Sequence, residues 1–132
     1  CAPQPVQPGG VPFLLSGTLT PRTIDRVVRF GAGWIPIMGE TVDGVAAGAA
    51  TLREAFAAAG RDPDALAVVA AMGVVRGADG RPDLDATIDA SVDLAAAGAT
   101  ALNLPLGAFA ADLAAAPAVL ASAGRRFAEV HR

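Results

Sequence analysis

Residues Val11–Ile37, VPFLLSGTLTPRTIDRVVRFGAGWIPI, hold two short apolar runs on either side of an amphipathic segment. The runs VPFLLSG and GWIPI lack the polar alternation of a half-exposed strand, and such runs are typical of strands covered on both faces. Between them, Thr20 followed by Pro21 is typical of a helix start, and Gly31 is typical of a helix end. The stretch therefore predicts a strand, a helix and a second strand.

The rest of the sequence repeats this order. Strands that alternate with helices imply a parallel sheet with right-handed crossovers. Four such units in 132 residues fit either a small open α/β sheet or half of a (β/α)8 barrel, and periodicity does not separate the two. The further predicted segments are a helix over Ala46–Ala59, a strand over Leu66–Val75, a helix over Leu84–Ala95, a strand over Thr100–Leu106 and a helical region over Phe109–Val130 with a break at Pro117.

The composition indicates one domain without a nucleic-acid-binding face. Hydrophobic residues make up 53% of the chain, and the formal net charge of -3 with a pI near 4.9 argues against a broad contact with nucleic acid. All ten basic residues are arginine, which with the excess of alanine and glycine indicates a GC-rich coding sequence. No segment approaches the ~18 apolar residues of a membrane span. We expect a cytoplasmic protein with neither nucleic acid nor membrane as a partner.

The ends of the chain carry its only cysteine and its only histidine. Residues 1–11 are predicted to be a Pro/Gly-rich linker. Cys1 is either a lipidated terminus or the start of a fragment of a longer chain, and the fragment is favoured. His131 is predicted to be a solvated tail residue. Three aspartates spaced every four residues are interpreted as a solvated helix face rather than a metal site: Asp85, Asp89 and Asp93.

The first two strands and their helix resemble the luciferase-like monooxygenase family, which comprises flavin- or deazaflavin-dependent barrel enzymes. In that family a strand of the type P-hydrophobic-G-G precedes a helix and then the motif (A/G)-D-G-W. The segment LREAFAAAGRDPDAL, Leu52–Leu66, is similar to the family's L-R-x5-A-G-R-D-P, and LAAAGATALNLPL is similar to its last strand. The resemblance runs from Pro12 to the C-terminus. It implies a domain over residues 12–132 that is the C-terminal half of a TIM (β/α)8 barrel, with four consecutive parallel βα units.

Two positions depart from the family pattern. Ser16 replaces the first glycine of the pair after the first strand, and Ala32 replaces the aspartate of D-G-W. The first change leaves one glycine for the approach of a phosphate and adds a hydroxyl beside it. The second removes a carboxylate from the loop. Both bear directly on cofactor binding.

The resemblance implies a redox cofactor, coenzyme F-420 or FMN, with F-420 preferred on the GC-rich composition. Ligands of parallel α/β units gather at the carboxyl ends of the strands, and we expect the two glycine-containing stretches to line one rim there. Each of three candidate residues also has a structural explanation that needs no cofactor. Gly17 would allow a tight turn, Trp34 would fill the core, and Asn103 would be a core amide with its hydrogen bonds satisfied. No catalytic residue or metal ligand is identified. The candidate cofactor-binding residues are Ser16, Gly17, Thr18, Gly31, Gly33, Trp34 and Asn103.

The function implied is that of the C-terminal portion of an oxidoreductase, active in hydride transfer or monooxygenation of a small-molecule substrate. The alternative is a non-catalytic, truncated α/β module. A half barrel leaves two strand edges and an apolar inner face open. In either case we expect a partner, which would be a second copy of the chain or the complementing N-terminal half-barrel.

Overall fold

The computed structural model describes residues 6, 7, 10–37 and 39–132. Within these ranges four parallel strands form one sheet in the order β1-β2-β3-β4. This confirms the predicted α/β class, with the four consecutive βα units expected of half a (β/α)8 barrel. The elements are β1 Leu14–Ser16, α1 Pro21–Phe30, β2 Gly33–Ile35, α2 Val42–Ala58, β3 Ala67–Ala71, α3 Leu84–Asp89, α4 Ser91–Ala96, β4 Ala101–Asn103 and α5 Ala116–Val130, with single 3-10 turns at Pro63–Ala65 and Leu106–Ala108.

One face of the sheet is packed against the helices. Leu15, Trp34 and Val68 lie side by side on β1, β2 and β3 and belong to the main core cluster. On the helix side of the sheet, α2 contributes Leu52 and Phe56 to this cluster, and both are fully buried. Alanine and glycine between these larger residues let helix and sheet approach closely. The core therefore depends on short distances rather than on many bulky side chains.

The opposite face, which we call the inner face, consists of the alternate residues of each strand. Most of them are exposed or half-buried, including Ile35 and Val69 on the two central strands. A complete barrel would enclose this face. Its exposure distinguishes the protein from a self-sufficient two-layer sheet. The residues are Leu14, Ser16, Gly33, Ile35, Ala67, Val69, Ala71, Ala101 and Asn103.

Hydrogen bonds to two threonine hydroxyls accompany two differences from the predicted boundaries. Helix α2 begins at Val42, four residues before the predicted Ala46, because the hydroxyl of Thr41 accepts a hydrogen bond from Gly44 N at 3.0 Å. Strand β3 ends at Ala71 instead of Val75. The N–H of Val75 donates to the hydroxyl of Thr87 at 2.9 Å, so the chain has already turned toward α3.

The two C-terminal helical predictions also need correction. The helix predicted over Leu84–Ala95 is divided at Ala90 into α3 and α4, and the Ser91 hydroxyl donates to the carbonyl of Ile88 at 2.6 Å at this division. Pro117 lies in the first turn of α5 and does not break a helix. Proline is tolerated there because the first-turn N–H groups have no partner within the helix.

His131 is not the solvated tail residue that was predicted. Its ring stacks on Phe127 with centroids 4.1 Å apart, and its Nε2 lies 2.8 Å from the hydroxyl of the buried Ser91. A second contact also fastens α5, since Arg126 binds both carboxylate oxygens of Asp89 at 2.7 Å. Asp89 is therefore an anchoring residue rather than a purely solvated one.

The Asp89–Arg126 pair predicts an acid-sensitive component of stability. The side-chain hydrogen bonds from Arg126, assisted by its charge, hold the pKa of the Asp89 carboxyl below its usual value, against the effect of desolvation. A lowered folded-state pKa stabilises the protein above the unfolded-state pKa, and this stabilisation is lost as the pH falls through the folded-state value. The Tm difference between wild type and Asp89→Asn should thus be constant near neutral pH and shrink below about pH 4.

Thermal unfolding from pH 7 to pH 3 measures this effect. Asp85→Asn is the matched control, because Asp85 is an exposed aspartate of the same helix. A Tm difference between wild type and Asp89→Asn that is unchanged at pH 3 would contradict the stabilising role of the ionised Asp89.

Some predictions concern residues outside the described ranges. Cys1 and most of the proposed linker over residues 1–11 belong to this group. None of the helices in the described ranges combines the length and the apolar content that a bilayer span requires.

Candidate functional site

All four strands run in the same direction, so their carboxyl ends meet at one edge of the sheet. In open α/β structures this edge is where ligands bind, because helix N-termini and the connecting loops converge there. We call it the carboxyl rim. The residues of interest on it are Ser16–Thr18, Gly39, Glu40, Met72, Gly73, Asn103 and Pro105.

The loop after β1 offers small polar residues at the rim. Ser16 and Thr18 are exposed, and Gly17 between them has a φ of 138°, a conformation that residues with a side chain rarely adopt. No atom lies within 4 Å of the position that a Cβ of Gly17 would take. Two hydrogen bonds attach the loop to β2. Gly17 N donates to Ile35 O at 3.3 Å, and Gly17 O accepts from the indole of Trp34 at 2.8 Å. An unobstructed backbone segment thus faces solvent between two exposed hydroxyl-bearing residues.

Trp34 supports this loop from inside the core. Its side chain is 2% exposed and lies on the helix side of the sheet. A Cβ added to Gly48 of α2 would come within 2.5 Å of Cη2 of the indole, so the ring is closely packed. In this arrangement the ring presents no face to a ligand, and Trp34 acts on the rim through its hydrogen bond to Gly17.

Gly31 and Gly33 do not share the rim with Ser16–Thr18, as had been expected. Gly33 pairs with Leu14, at the amino end of β1, and Gly31 precedes β2 altogether. At about 3.3 Å per residue, Gly31 lies roughly 13 Å below the end of β2. The chain enters a parallel strand at one edge and leaves at the other, which separates the two glycine stretches. The seven candidate residues therefore do not form one site.

Both of these glycines meet a packing requirement. A Cβ on Gly33 would collide with the carbonyl oxygen of Ala67 on the neighbouring strand and lie 2.7 Å from its Cβ. A Cβ on Gly31 would lie 2.6 Å from Cδ1 of Leu15 and 3.0 Å from the carbonyl oxygen of Val27. Close contact of backbone with core, not with a ligand, accounts for them in this structure.

Arg61 is a residue of the same region whose role was not predicted. Its Nη1 donates to the carbonyl oxygens of Val28 at 2.6 Å and of Gly31 at 2.9 Å, and more weakly to Val27 at 3.3 Å. Its guanidinium lies over the ring of Phe56, 3.9 Å from the centroid. It thus caps the C-terminus of α1. The AGRDP motif marked Arg61 in the sequence, but its role could not be deduced there, because the carbonyl groups that it contacts lie about thirty residues away in the chain.

Asn103 is at the carboxyl rim, as predicted. It ends β4 on the inner face, in register with Ala71, and its side chain is exposed. It lines a cleft of about 450 Å³ together with Glu40 and Gly73. An exposed amide at this position can both donate and accept hydrogen bonds with a ligand.

Glu40 is the rim residue that the sequence analysis did not select. It lines the Asn103 cleft and also a second cleft of about 270 Å³ that contains Thr18. Its Oε1 accepts a hydrogen bond from Thr41 N at 3.2 Å, so the carboxylate lies at the N-terminus of α2, where the helix dipole favours negative charge. The signal in the sequence was an acidic residue directly before the Thr41 cap. Its charge opposes an anionic group at this end of the site.

A larger cleft, of about 770 Å³, lies at the opposite edge of the sheet. It is lined by Phe13, Phe30, Gly31 and Arg61, among others. We do not assign the functional site there. The guanidinium of Arg61 is already bonded to helix carbonyls, and the loops and helix N-termini that form ligand sites in parallel sheets are at the carboxyl rim.

Comparison with known proteins agrees with the resemblance found in the sequence. The family model described as luciferase-like monooxygenase matches residues 1–81, which is more than half of the 132-residue chain and includes β1–β3 and the rim loops after β1 and β2. A comparison with curated proteins finds no significant match. On the family match and the four parallel βα units, the chain belongs to the luciferase-like monooxygenase family.

Proposed function

We propose that the chain is the C-terminal portion of a flavin- or deazaflavin-dependent oxidoreductase that acts on a small molecule by hydride transfer or monooxygenation. The family match over residues 1–81 carries this proposal. Members of the family generally use flavin or coenzyme F-420. A cytoplasmic location stays a prediction.

The carboxyl rim offers groups that suit the phosphate of such a cofactor. The hydroxyls of Ser16 and Thr18 flank the unobstructed backbone of Gly17, where a phosphate can approach closely. Arg22, exposed in the first turn of α1, adds positive charge beside this loop. Glu40 acts in the opposite direction. The residues present therefore fit an anionic tail at Ser16–Thr18, with Glu40, which shares the Thr18 cleft, opposing it.

The cofactor would supply the redox chemistry, and the protein would supply binding, orientation and exclusion of water. Asn103 is suited to hydrogen-bond the polar edge of the cofactor ring, because its amide carries both donors and acceptors. Among the described residues, His131 is bonded to Ser91 and stacked on Phe127, so it takes no part at the rim. We prefer F-420 to FMN because the arginine-only basic composition indicates a GC-rich coding sequence.

Spectral titration with F-420 and with FMN tests the proposal, on the chain alone and with the N-terminal half of a luciferase-like enzyme added. The double variant Ser16→Ala/Thr18→Ala should weaken cofactor binding about 100-fold or more, because hydrogen bonds to a charged group contribute about 1.5–3 kcal/mol each. Glu40→Gln should strengthen it about twofold to threefold, since a nearby like charge is removed.

Ser122→Ala, which removes a hydroxyl from α5, is the control and should leave binding unchanged. No spectral change with either cofactor, even with the N-terminal half supplied, would reject the proposal. A phosphate at the rim predicts changes in cofactor affinity of opposite sign, a decrease for the double variant and an increase for Glu40→Gln. Unspecific binding of the ring predicts no such difference.

The second candidate is a non-catalytic, truncated α/β module that pairs with another half-barrel. The open inner face and the two departures at Ser16 and Ala32 favour it. Tight association without affinity for either cofactor would support this candidate over the oxidoreductase.

A further inference from the structure

The loop after β1 is attached to the core at alternate residues. Gly17 and Leu19 are half-buried, whereas Ser16 and Thr18 are exposed. Leu19 packs against the main core cluster, and the carbonyl oxygen of Gly17 accepts the hydrogen bond from the indole of Trp34 at 2.8 Å. Thr18 is therefore held toward solvent between two residues that are fixed to the core.

The hydrogen bond from Trp34 sets the direction of the peptide group between Gly17 and Thr18. In a trans peptide the carbonyl and the N–H point in opposite directions. Because the carbonyl of Gly17 points into the core to reach the indole, the N–H of Thr18 in the same peptide group points outward at the carboxyl rim. Among the described residues no backbone carbonyl accepts a hydrogen bond from this N–H.

Two features keep this peptide group in place. The indole is 2% exposed, and a Cβ added to Gly48 would lie 2.5 Å from its Cη2 and 2.6 Å from its Cζ3, so the ring has no room to turn. A buried indole N–H normally keeps a hydrogen-bonding partner. On the other side, Gly17 adopts a φ of 138°, which a residue with a side chain rarely does.

From these contacts we propose that Trp34 is a positioning residue for the anionic end of the ligand. Its indole turns the peptide group between Gly17 and Thr18 so that the Thr18 N–H donates to a phosphate. Outward-pointing backbone N–H groups are common anion ligands, and hydrogen bonds to a charged acceptor are the strong ones. The inference rests on the proposed function. It adds a backbone donor to the two hydroxyls, and it gives Trp34 a role in binding although the ring itself does not contact the ligand.

Paired ligands with and without the phosphate separate positioning from packing. FMN and riboflavin form one pair, and F-420 and its phosphate-free deazaflavin core form the other. Trp34→Phe keeps an aromatic ring but removes the N–H. We expect it to weaken binding of the phosphate-bearing ligand at least about tenfold, equivalent to about 1.4 kcal/mol, and to leave the affinity for the phosphate-free ligand within about twofold of wild type.

Spectral titration measures these affinities, on the chain alone and with the N-terminal half added. Phe56→Leu is the control for lost core packing. Phe56 is fully buried in the same cluster as Trp34, but it lies under Arg61 near the end of α2, away from the rim. We expect Phe56→Leu to lower stability and to change neither affinity.

Gly17→Ala tests the same peptide group from the solvent side and leaves the core intact. No atom lies within 4 Å of the new Cβ, so the change opposes only the backbone conformation. We expect it to cause the same phosphate-dependent loss of affinity as Trp34→Phe. Gly80→Ala is the matched control, because Gly80 also has a positive φ, 75°, and equally open surroundings, but lies in the turn after β3.

Nuclear magnetic resonance gives a measurement that needs no cofactor. Trp34 is the only tryptophan of the chain, so its indole N–H contributes a single signal. In Gly17→Ala this signal should move upfield, since the hydrogen bond to the carbonyl is weakened. In Gly80→Ala it should stay at its wild-type position. An unchanged indole signal in Gly17→Ala would show that the carbonyl of residue 17 does not depend on the glycine conformation, contrary to the proposal.

The titrations can overturn the inference in three ways. Equal losses of affinity for both members of a pair in Trp34→Phe would leave Trp34 with a packing role only. Unchanged binding of the phosphate-bearing ligand in Trp34→Phe and Gly17→Ala would show that the Thr18 N–H does not bind the phosphate. Wild type that binds both members of each pair equally would place the phosphate elsewhere, and the oxidoreductase proposal would stand. Wild type that binds none of the four ligands would reject the oxidoreductase proposal and this inference with it.

Discussion

Gly33→Ala is expected to lower the free energy of unfolding by about 3 kcal/mol, at the upper end of the cost of overpacking a core. The reason is that the new methyl group would collide with the backbone carbonyl of Ala67, and a strand backbone cannot move aside as a flexible side chain can. β2 and β3 would have to separate where Gly33 pairs with Ala67. For a domain of this size the Tm should fall by roughly 10 °C.

Gly73→Ala is the matched control, because no atom lies within 4 Å of a Cβ built at that position. Denaturant and thermal unfolding of both variants measure the difference, and the control should stay within about 0.5 kcal/mol of wild type. Equal stability of the two variants would show that the close contact between β2 and β3 is wrongly described. A cofactor role for Gly33 would instead predict weaker binding with unchanged stability.

Arg61→Ala is expected to lower the free energy of unfolding by about 2–3 kcal/mol. The change removes charge-assisted hydrogen bonds to the last carbonyl groups of α1 and the stacking on Phe56. Those carbonyl oxygens would lose their partner, at the half-buried Val28 and at the buried Gly31. Urea unfolding measures the loss, and Arg26→Ala on the exposed side of α1 serves as the control.

Arg61→Lys refines this prediction. A lysine keeps the positive charge but lacks the planar fork that reaches several carbonyl groups while lying flat on a ring. We expect it to recover less than half of the lost stability. Full recovery would mean that charge near the C-terminus of α1 is sufficient, through the helix dipole, and that the geometry of the guanidinium contributes little.

These two predictions give a structural reading of the motifs that carry the family resemblance. Gly31 and Gly33 of the GAGW stretch, and Arg61 of the AGRDP segment, all lie at the amino edge of the sheet or in its core. Trp34 joins this group by packing but reaches the carboxyl rim through Gly17. Much of the recognisable sequence pattern therefore specifies how βα units pack, and a smaller part, Ser16–Thr18, is available to a ligand.

The sequence by itself determined the order of strands and helices, the parallel sheet and the family. These features follow from local signals, such as the apolar run of β1, the Thr20–Pro21 helix start and glycines at helix ends. The inner face could also be anticipated, because four βα units cannot close a barrel of eight. Asn103 was selected from the sequence because an amide in an apolar run needs a hydrogen-bonding partner; the structure places it at the carboxyl rim, and its contact with a cofactor stays a prediction.

Only the tertiary structure decided which candidate residues come together. The register of the strands places Gly33 beside Leu14 and Ala67, away from Ser16. The parallel direction was predicted, but the exact register of neighbouring strands is not visible in a local pattern. The same holds for Arg61, whose carbonyl partners lie about thirty residues earlier, and for His131, which bonds to Ser91 forty residues away. Such contacts depend on how distant segments pack, and a sequence pattern reports only its own neighbourhood.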